Sequence, residues 1–476
     1  MLRLTARSTL LLVTLVGCDD GMVTTDAGEP QGDAGMAVTQ ISYTPEGCGY
    51  VVATPVVRDT GMSEDVFGAS DAIDHVHVSW AGPSHSSFAV NWRADGDTLA
   101  SNVLYGTDQA AVAAADTADG TDVLLQVGHH MAFREIGALA RVHEVHVCGL
   151  EASTTYYYKV GGPGHWSEVF DTTTAPTPGS IEPFTFGVTG DSRNNLENAW
   201  PISQRRMQAA AIDFEVFSGD AVLAGTNQAD WNDFLGASDG TFGVQDLLAR
   251  RAMMVVNGNH EGLAVNYIAQ FALPQEVSDS EVAQGEEWYS FDYGNAHFVM
   301  LNDSVADSSV IAGSQAAWLR RDLMQVDRNL TPWVFAVHHR PIYTCGSTHG
   351  PYREGQTAWQ PIYDEMAVDI VFNGHNHAYE RSLPIRGLSA GEGVVVTSGP
   401  DATPMYDAEG LPTGTVYIVA AGAGADLYPA ANDCPTSHIG ESVRPYAIVS
   451  IEDRTLTYTA YSIVDGTMLD TFTLTK

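Results

Sequence analysis

Five short apolar runs in this chain each end in a residue able to bind a metal ion, and that recurrence restricts the fold more than any other feature. Phe184-Thr185-Phe186-Gly187-Val188-Thr189-Gly190 leads into Asp191, and Phe214-Glu215-Val216-Phe217-Ser218-Gly219 leads into Asp220. Met253-Met254-Val255-Val256-Asn257-Gly258 leads into Asn259-His260, and Trp333-Val334-Phe335-Ala336-Val337 into His338-His339-Arg340-Pro341. Asp369-Ile370-Val371-Phe372-Asn373 leads into Gly374-His375-Asn376-His377. Short apolar runs of this kind fit strands buried on both faces. Two histidines one residue apart, in a loop leaving such a strand, can face one pocket and bind two different metal ions. Hard ions take oxygen and imidazole donors and often share one carboxylate. Two ions about 3.5–4 Å apart can hold a hydroxide between them and clamp a phosphoryl group for in-line attack. A lone Gly-Asp is ordinarily a turn. Five such strand ends in series point to a dinuclear metal hydrolase.

The remainder of the chain divides by pattern. At 476 residues, two or three domains are expected. Arg3 and Arg7 precede the apolar run from Leu10 to Val16 and then Gly17-Cys18, so residues 1–17 read as a signal peptide. Leu15-Val16-Gly17-Cys18 resembles a bacterial lipoprotein signal, which implies a lipid on Cys18 and an exported cell-envelope protein, periplasmic or at the cell surface. Residues 18–40 read as a flexible acidic tether. Residues 41–175 alternate as an all-β sandwich does, with His75, His77, His143 and His146 as surface or packing residues and Trp80 and Trp92 in its core. The segment 175–180 is a short stiff linker. From 181 to 476, strand-like runs alternate with helix candidates at 201–212, 313–328 and 357–366, and strands at 414–476 complete a sheet sandwich. Gly422-Ala423-Gly424 reads as a tight turn near the active-site face.

Charge and cysteines narrow the function. The formal net charge is −37, and lysine occurs only at Lys159 and Lys476. So acidic a surface argues against nucleic-acid binding and against adsorption to anionic membranes. An anionic substrate then needs a local positive charge, which two metal ions supply. With Cys18 lipidated, Cys48, Cys148, Cys345 and Cys434 remain, an even number in an exported chain. Three pairings are possible; the simplest is one bridge per domain, Cys48–Cys148 and Cys345–Cys434.

Gly258-Asn259-His260-Glu261, His339-Arg340-Pro341-Ile342-Tyr343 and Gly374-His375-Asn376-His377-Ala378-Tyr379-Glu380-Arg381 resemble the motifs of purple-acid-phosphatase-like members of the calcineurin-like metallophosphoesterases. Gly149 to Tyr158 resembles the tyrosine-bearing corner of fibronectin type III modules, which that group carries ahead of its catalytic domain. The resemblance implies a fibronectin-like β-sandwich followed by an α/β domain of two sheets flanked by helices. It implies that Asp191, Asp220 and His377 bind a first metal, and Asp220, Asn259, His339 and His375 a second, the ions being Fe, Zn or Mn. His260 would stabilise the phosphoryl group or act as general acid, and His349 would contact substrate. His338, one residue before the ligand, would pack at the strand end. Two positions depart from the pattern. The tyrosine expected three residues after the second aspartate is Leu223, so no phenolate is available to colour the centre. Arg193 stands where related enzymes place a histidine, and either holds phosphate, with Asn195, or offsets nearby carboxylates. The implied reaction is hydrolysis of phosphate monoesters, on a small molecule or a protein, by metal-bound hydroxide. The alternatives are a phosphodiesterase acting on nucleotides or phospholipid head groups, and a non-catalytic surface adhesion protein.

Overall fold

The computed structural model describes residues 41–54, 59–135, 138–275, 286–305, 307–389 and 392–476. The expected signal peptide and tether lie outside them. The N-terminal module stacks a five-stranded sheet, ordered Asp59–Met62, His129–Glu135, Ala138–Cys148, Ser87–Arg93 and Asp74–Ser79, with a four-stranded one. At the expected corner, the Glu151 N–H donates to the Tyr156 hydroxyl at 3.0 Å, tying the strand Thr155–Gly161 to the preceding turn. The Cys48–Cys148 bridge closes this module, and Cys345–Cys434 lies in the C-terminal part.

The C-terminal part is two sheets face to face. One runs Ala252–Val255, Phe214–Phe217, Phe184–Thr189, Pro445–Glu452, Thr455–Ser462, Met468–Thr475; its first three strands are parallel and the last three form an antiparallel meander. The other has a parallel centre of Ala296–Met300, Trp333–His338, Ile370–Asn373 and Val416–Ala420. Phenylalanines join the two faces: Phe186 lies 5.2 Å from Phe298 and 5.5 Å from Phe335 between ring centroids. Edge-to-face pairs of this kind add to area burial. Both sheets therefore send the C-terminal ends of parallel strands to one rim, where loops of open α/β sheets bind ligands.

Trp80 does not sit in the core of its own sandwich. Its ring packs on Phe214, Phe291 and Tyr293 of the C-terminal sheets, and with Tyr158 (whose hydroxyl donates to Ala249 O) it fixes the module to the C-terminal part. Trp92 stays within the module, stacked on buried His143. His77 is buried and bonds the carbonyls of His75 and Gln270. The expected helices form as Trp200–Ala209, Ala316–Leu323 and Arg353–Met366. The second starts later than its sequence pattern, where Gly313 leaves helical geometry at φ −95°, ψ −106°, and ends sooner, at Leu323.

A buried ion pair braces the edge hairpin. His297 bonds Asp292 Oδ1 at 2.7 Å and Asp322 Oδ2, on Ala316–Leu323, at 2.8 Å. Burial opposes its charge, but the two carboxylates more than offset burial and raise His297 to about 9. A histidine raised in the folded state contributes stability that is complete below about pH 6.5 and lost as pH rises through about 9. His297→Gln should therefore cost about 2 kcal/mol at pH 6 and far less at pH 10; thermal melts of both proteins across that range measure it.

Candidate metal centre

The rim gathers all six expected ligands together with His260, His349 and Arg193. Asp191 and Asp220 follow the strands Phe184–Thr189 and Phe214–Phe217, Asn259 and His260 follow Ala252–Val255, His339 follows Trp333–His338, and His375 and His377 follow Ile370–Asn373. The backbone bends sharply to present them. Asp191, Asp220 and His375 have φ of 57°, 56° and 67°, in the left-handed region that costs L residues about 1–2 kcal/mol each. Neighbouring turns hold them there. The N–H groups of Gly422 and Ala423 donate to Gly190 O, and those of Gly424 and Ala425 to Asp191 O. The Gly-rich turn is thus a clamp on the Asp191 loop.

The centre has two unlike halves around Asp220. In one, donor atoms of Asp220, His339 and His375 all lie within 4.8 Å of one another. His339 Nε2 is 3.3 Å from Asp220 Oδ1, 3.1 Å from Asn259 Oδ1 and 3.2 Å from His375 Nδ1. His339 Nδ1 is held by Ser218 O at 2.8 Å, which leaves Nε2 facing the cluster. Burial opposes a charge on His339, but Asp220 offsets it and raises His339 to about 10. Burial, with His339 beside it, pushes His375 down to about 2. A carboxylate, an amide oxygen and two imidazoles aimed at one point fit a single divalent ion.

The other half holds Asp191 and His377, with His377 Nε2 3.3 Å from Asp191 Oδ1. His377 Nδ1 donates to Asp426 O at 2.6 Å, so Nε2 carries the lone pair. An Arg193 N–H donates to that Nε2 at 3.1 Å, and Arg193 Nε donates to Asp220 Oδ2 at 3.3 Å. Arg193 is thus committed to the centre itself. Asn195 does not join it; its Oδ1 accepts from Asn198. Leu223 turns its side chain outward, 53% exposed, and offers its carbonyl to His260 Nδ1 at 2.6 Å. The His260 N–H meanwhile donates to Asp220 Oδ1 at 3.0 Å.

His349 arrives on a half-buried loop, its ring 4.3 Å from that of His375; burial first, then the nearby positive groups, lowers its pKa. His338 faces away, buried against Trp359 and bonded to Arg340 O. Two residues were not singled out from the sequence. Tyr428 stacks on His377 at 4.1 Å, faces His349 at 5.3 Å and lies near Arg193. The Cys345–Cys434 bridge ties the loops that carry His349 and Tyr428. Glu261, although inside a recognised motif, had no assigned role. It accepts from Asp220 N (2.9 Å), Gly258 N (2.8 Å) and Val222 N (3.3 Å), and so shapes the loop that presents Asp220. The helix Gln228–Leu235 also went unseen, although Trp231, Phe234 and Leu235 have helical spacing and are buried.

Close approach requires glycine at two motif positions. A Cβ on Gly258 would lie 2.3 Å from Asp220 Oδ1, and one on Gly374 2.6 Å from Asp191 Oδ2. Gly258→Ala should lower stability by about 1–3 kcal/mol and weaken metal binding, as read by thermal melts and metal titration.

Comparison with known proteins places these features. Residues 73–174 match the model of the purple acid phosphatase N-terminal domain, and residues 184–379 that of the calcineurin-like phosphoesterases. Purple acid phosphatase 21 of Arabidopsis thaliana is 32% identical over 329 residues, 66% of this chain and 68% of that protein. Purple acid phosphatase 1 of Ipomoea batatas is 27% identical over 359 residues, 71% of each. The purple acid phosphatase PPD1 from yellow lupin (Lupinus luteus) seeds has the same fold, with a TM-score of 0.70 at 19% identity over 85% of this chain and 74% of that one.

Proposed function

Since the chain belongs to the purple acid phosphatases and is a metal-dependent phosphoester hydrolase, we propose that it hydrolyses phosphate monoesters at the rim centre. The observation that carries this reading is the convergence of Asp220, His339 and His375 on one point, with Asn259 beside them. A metal ion bound there supplies Lewis acidity and a water deprotonated near neutral pH. Asp220, Asn259, His339 and His375 hold it. In the dinuclear form expected of the family, Asp191, Asp220 and His377 would hold a second ion, which would require Arg193 to give up its bonds to Asp220 and His377. The metals are Fe, Zn or Mn.

His260 orients and donates. Its Nδ1 is fixed on Leu223 O, so Nε2 faces the centre, 3.8 Å from Asp220 Oδ2, where it can protonate a leaving oxygen. Arg193 and His349 line the same space and meet the phosphoryl oxygens. Without a tyrosine side chain from position 223, no phenolate band colours the protein. Hydrolysis of diesters is the competing activity. Asp220→Asn should abolish p-nitrophenyl phosphate turnover while the protein still folds, as read by circular dichroism; near-normal turnover would overturn the mechanism. Turnover of p-nitrophenyl phosphate should exceed that of its bis ester and vanish on chelation.

Export fits the same reading. Two disulfides form between residues 100 and 89 positions apart, as suits an oxidising compartment. Among the described residues no helix is long and apolar enough to cross a membrane. We read the mature protein as held to a bacterial envelope by lipid on Cys18, with a fibronectin-like module over 41–175 and the catalytic domain over 181–476. Cys18→Ser should shift the protein from the membrane to the soluble fraction on fractionation.

A further inference from the structure

The two halves of the centre differ in what they can accept. A metal in the half formed by Asp191, Asp220 and His377 needs the lone pairs of Asp220 Oδ2 and His377 Nε2. Both already accept N–H groups of Arg193, at 3.3 and 3.1 Å. A guanidinium is a donor only and stays charged, so it cannot become a ligand and repels a cation. Nor does position 223 provide a further donor, since the Leu223 side chain faces solvent. The arginine is built in. Its side chain is 11% exposed against an Asp220 that is wholly buried, and Tyr428 lies close to it on a third side. Tyr428 is in turn stacked on His377. An ion in this half would have to displace a buried ion pair and leave the guanidinium without its carboxylate, a costly exchange.

The opposite half lacks any such occupant. Asp220 Oδ1, His339 Nε2, His375 Nδ1 and Asn259 Oδ1 face one another with no arginine or lysine among them, and an imidazole, unlike a guanidinium, can give up its proton to a metal ion. We propose that this enzyme works with one metal ion, held by Asp220, Asn259, His339 and His375, and that the Arg193 guanidinium takes the place of the second ion. The guanidinium then supplies the fixed positive charge on the Asp191–His377 side. It keeps N–H groups beyond the two used by Asp220 and His377, and these suit an anionic phosphoryl group. The inference rests on the site being a metal-dependent hydrolase centre.

Metal stoichiometry of the full-length protein decides it. The protein is stripped with chelator, titrated with Mn2+ and followed by calorimetry, elemental analysis and electron paramagnetic resonance. One equivalent is expected, with the signal of an isolated Mn2+ ion. Arg193→Ala should take up a second equivalent and give the spectrum of an exchange-coupled pair; Arg193→Gln repeats the test should the alanine variant fold poorly. His375→Ala should lose the single ion of the wild type. Two equivalents and a coupled pair in the wild type would overturn the proposal, as would an Arg193→Ala protein that still binds one. No bound metal and no p-nitrophenyl phosphate turnover in the wild type would instead remove the hydrolase reading on which the proposal stands.

Discussion

Asp220 is a carboxylate with no exposed surface, and a charge so placed must be paired or neutralised. Burial raises the cost of ionisation, yet His339, His260 and Arg193 outweigh it and hold Asp220 well below the usual carboxylate range. Each oxygen has its own partners. Oδ1 faces His339 and accepts the His260 N–H, while Oδ2 accepts from Arg193. The backbone of Asp220 is held as firmly as its side chain. Glu261 takes its N–H, and Gly258 leaves just enough room beside it. Glu261 is itself buried; burial first, then the neighbouring Asp220, pushes it up to about 7. Loop, ligand and counter-charge therefore form one unit, in which a change to any partner is felt at both halves of the centre.

The sandwich makes such a unit possible. Parallel strands from both sheets end at the same rim, so ligands separated by 186 positions, from Asp191 to His377, reach one cluster without long arms. The phenylalanine layer between the sheets sets how far apart the strand ends stand. Trp80 and Tyr158 extend that layer into the N-terminal module, so the β-sandwich acts as a buttress for Phe214 and the sheet behind Asp220. The tight turns then absorb the strain: three non-glycine residues of the centre sit at positive φ, Asp191 held by backbone N–H groups of the Gly422–Ala425 turn, Asp220 by the Glu261 carboxylate and His375 by the Asp191 carboxylate. Strain of this kind persists where the surroundings over-determine it.

The sequence made the strand ends legible because each apolar run and its polar terminus are contiguous. Asp191, Asp220, Asn259, His339, His375 and His377 could be placed on one rim from pattern and resemblance together. Glu261 lay inside a quoted motif, but its service to the Asp220 loop is a matter of three backbone N–H groups, which no pattern reports. Tyr428 had no local signal. It reaches His377 because Val416–Ala420 pairs with Ile370–Asn373 and because a disulfide joins two distant loops. Trp80 fitted an alternating strand equally well facing its own sandwich or the next domain, and only packing distinguishes the two. Arg193 allowed two roles, since a long flexible side chain does not announce its partner.

The missing tyrosine and the buried arginine are two sides of one local arrangement. The turn from Asp220 to Leu223 is fixed at three points: Val222 N donates to Glu261, Ser192 Oγ donates to Ala221 O, and Leu223 O receives His260. On that backbone the side chain at 223 leaves the centre toward solvent. A tyrosine placed there without other change would carry its phenol outward as well. Across the centre, Arg193 and Tyr428 lie close together and flank His377. A phenolate needs a cation of high charge beside it to be stable at neutral pH, whereas a guanidinium needs a carboxylate and brings its own charge. Asp220 can serve either arrangement, but its Oδ2 cannot serve both at once. The choice between a second ion and an arginine is therefore made at one oxygen atom of one buried carboxylate.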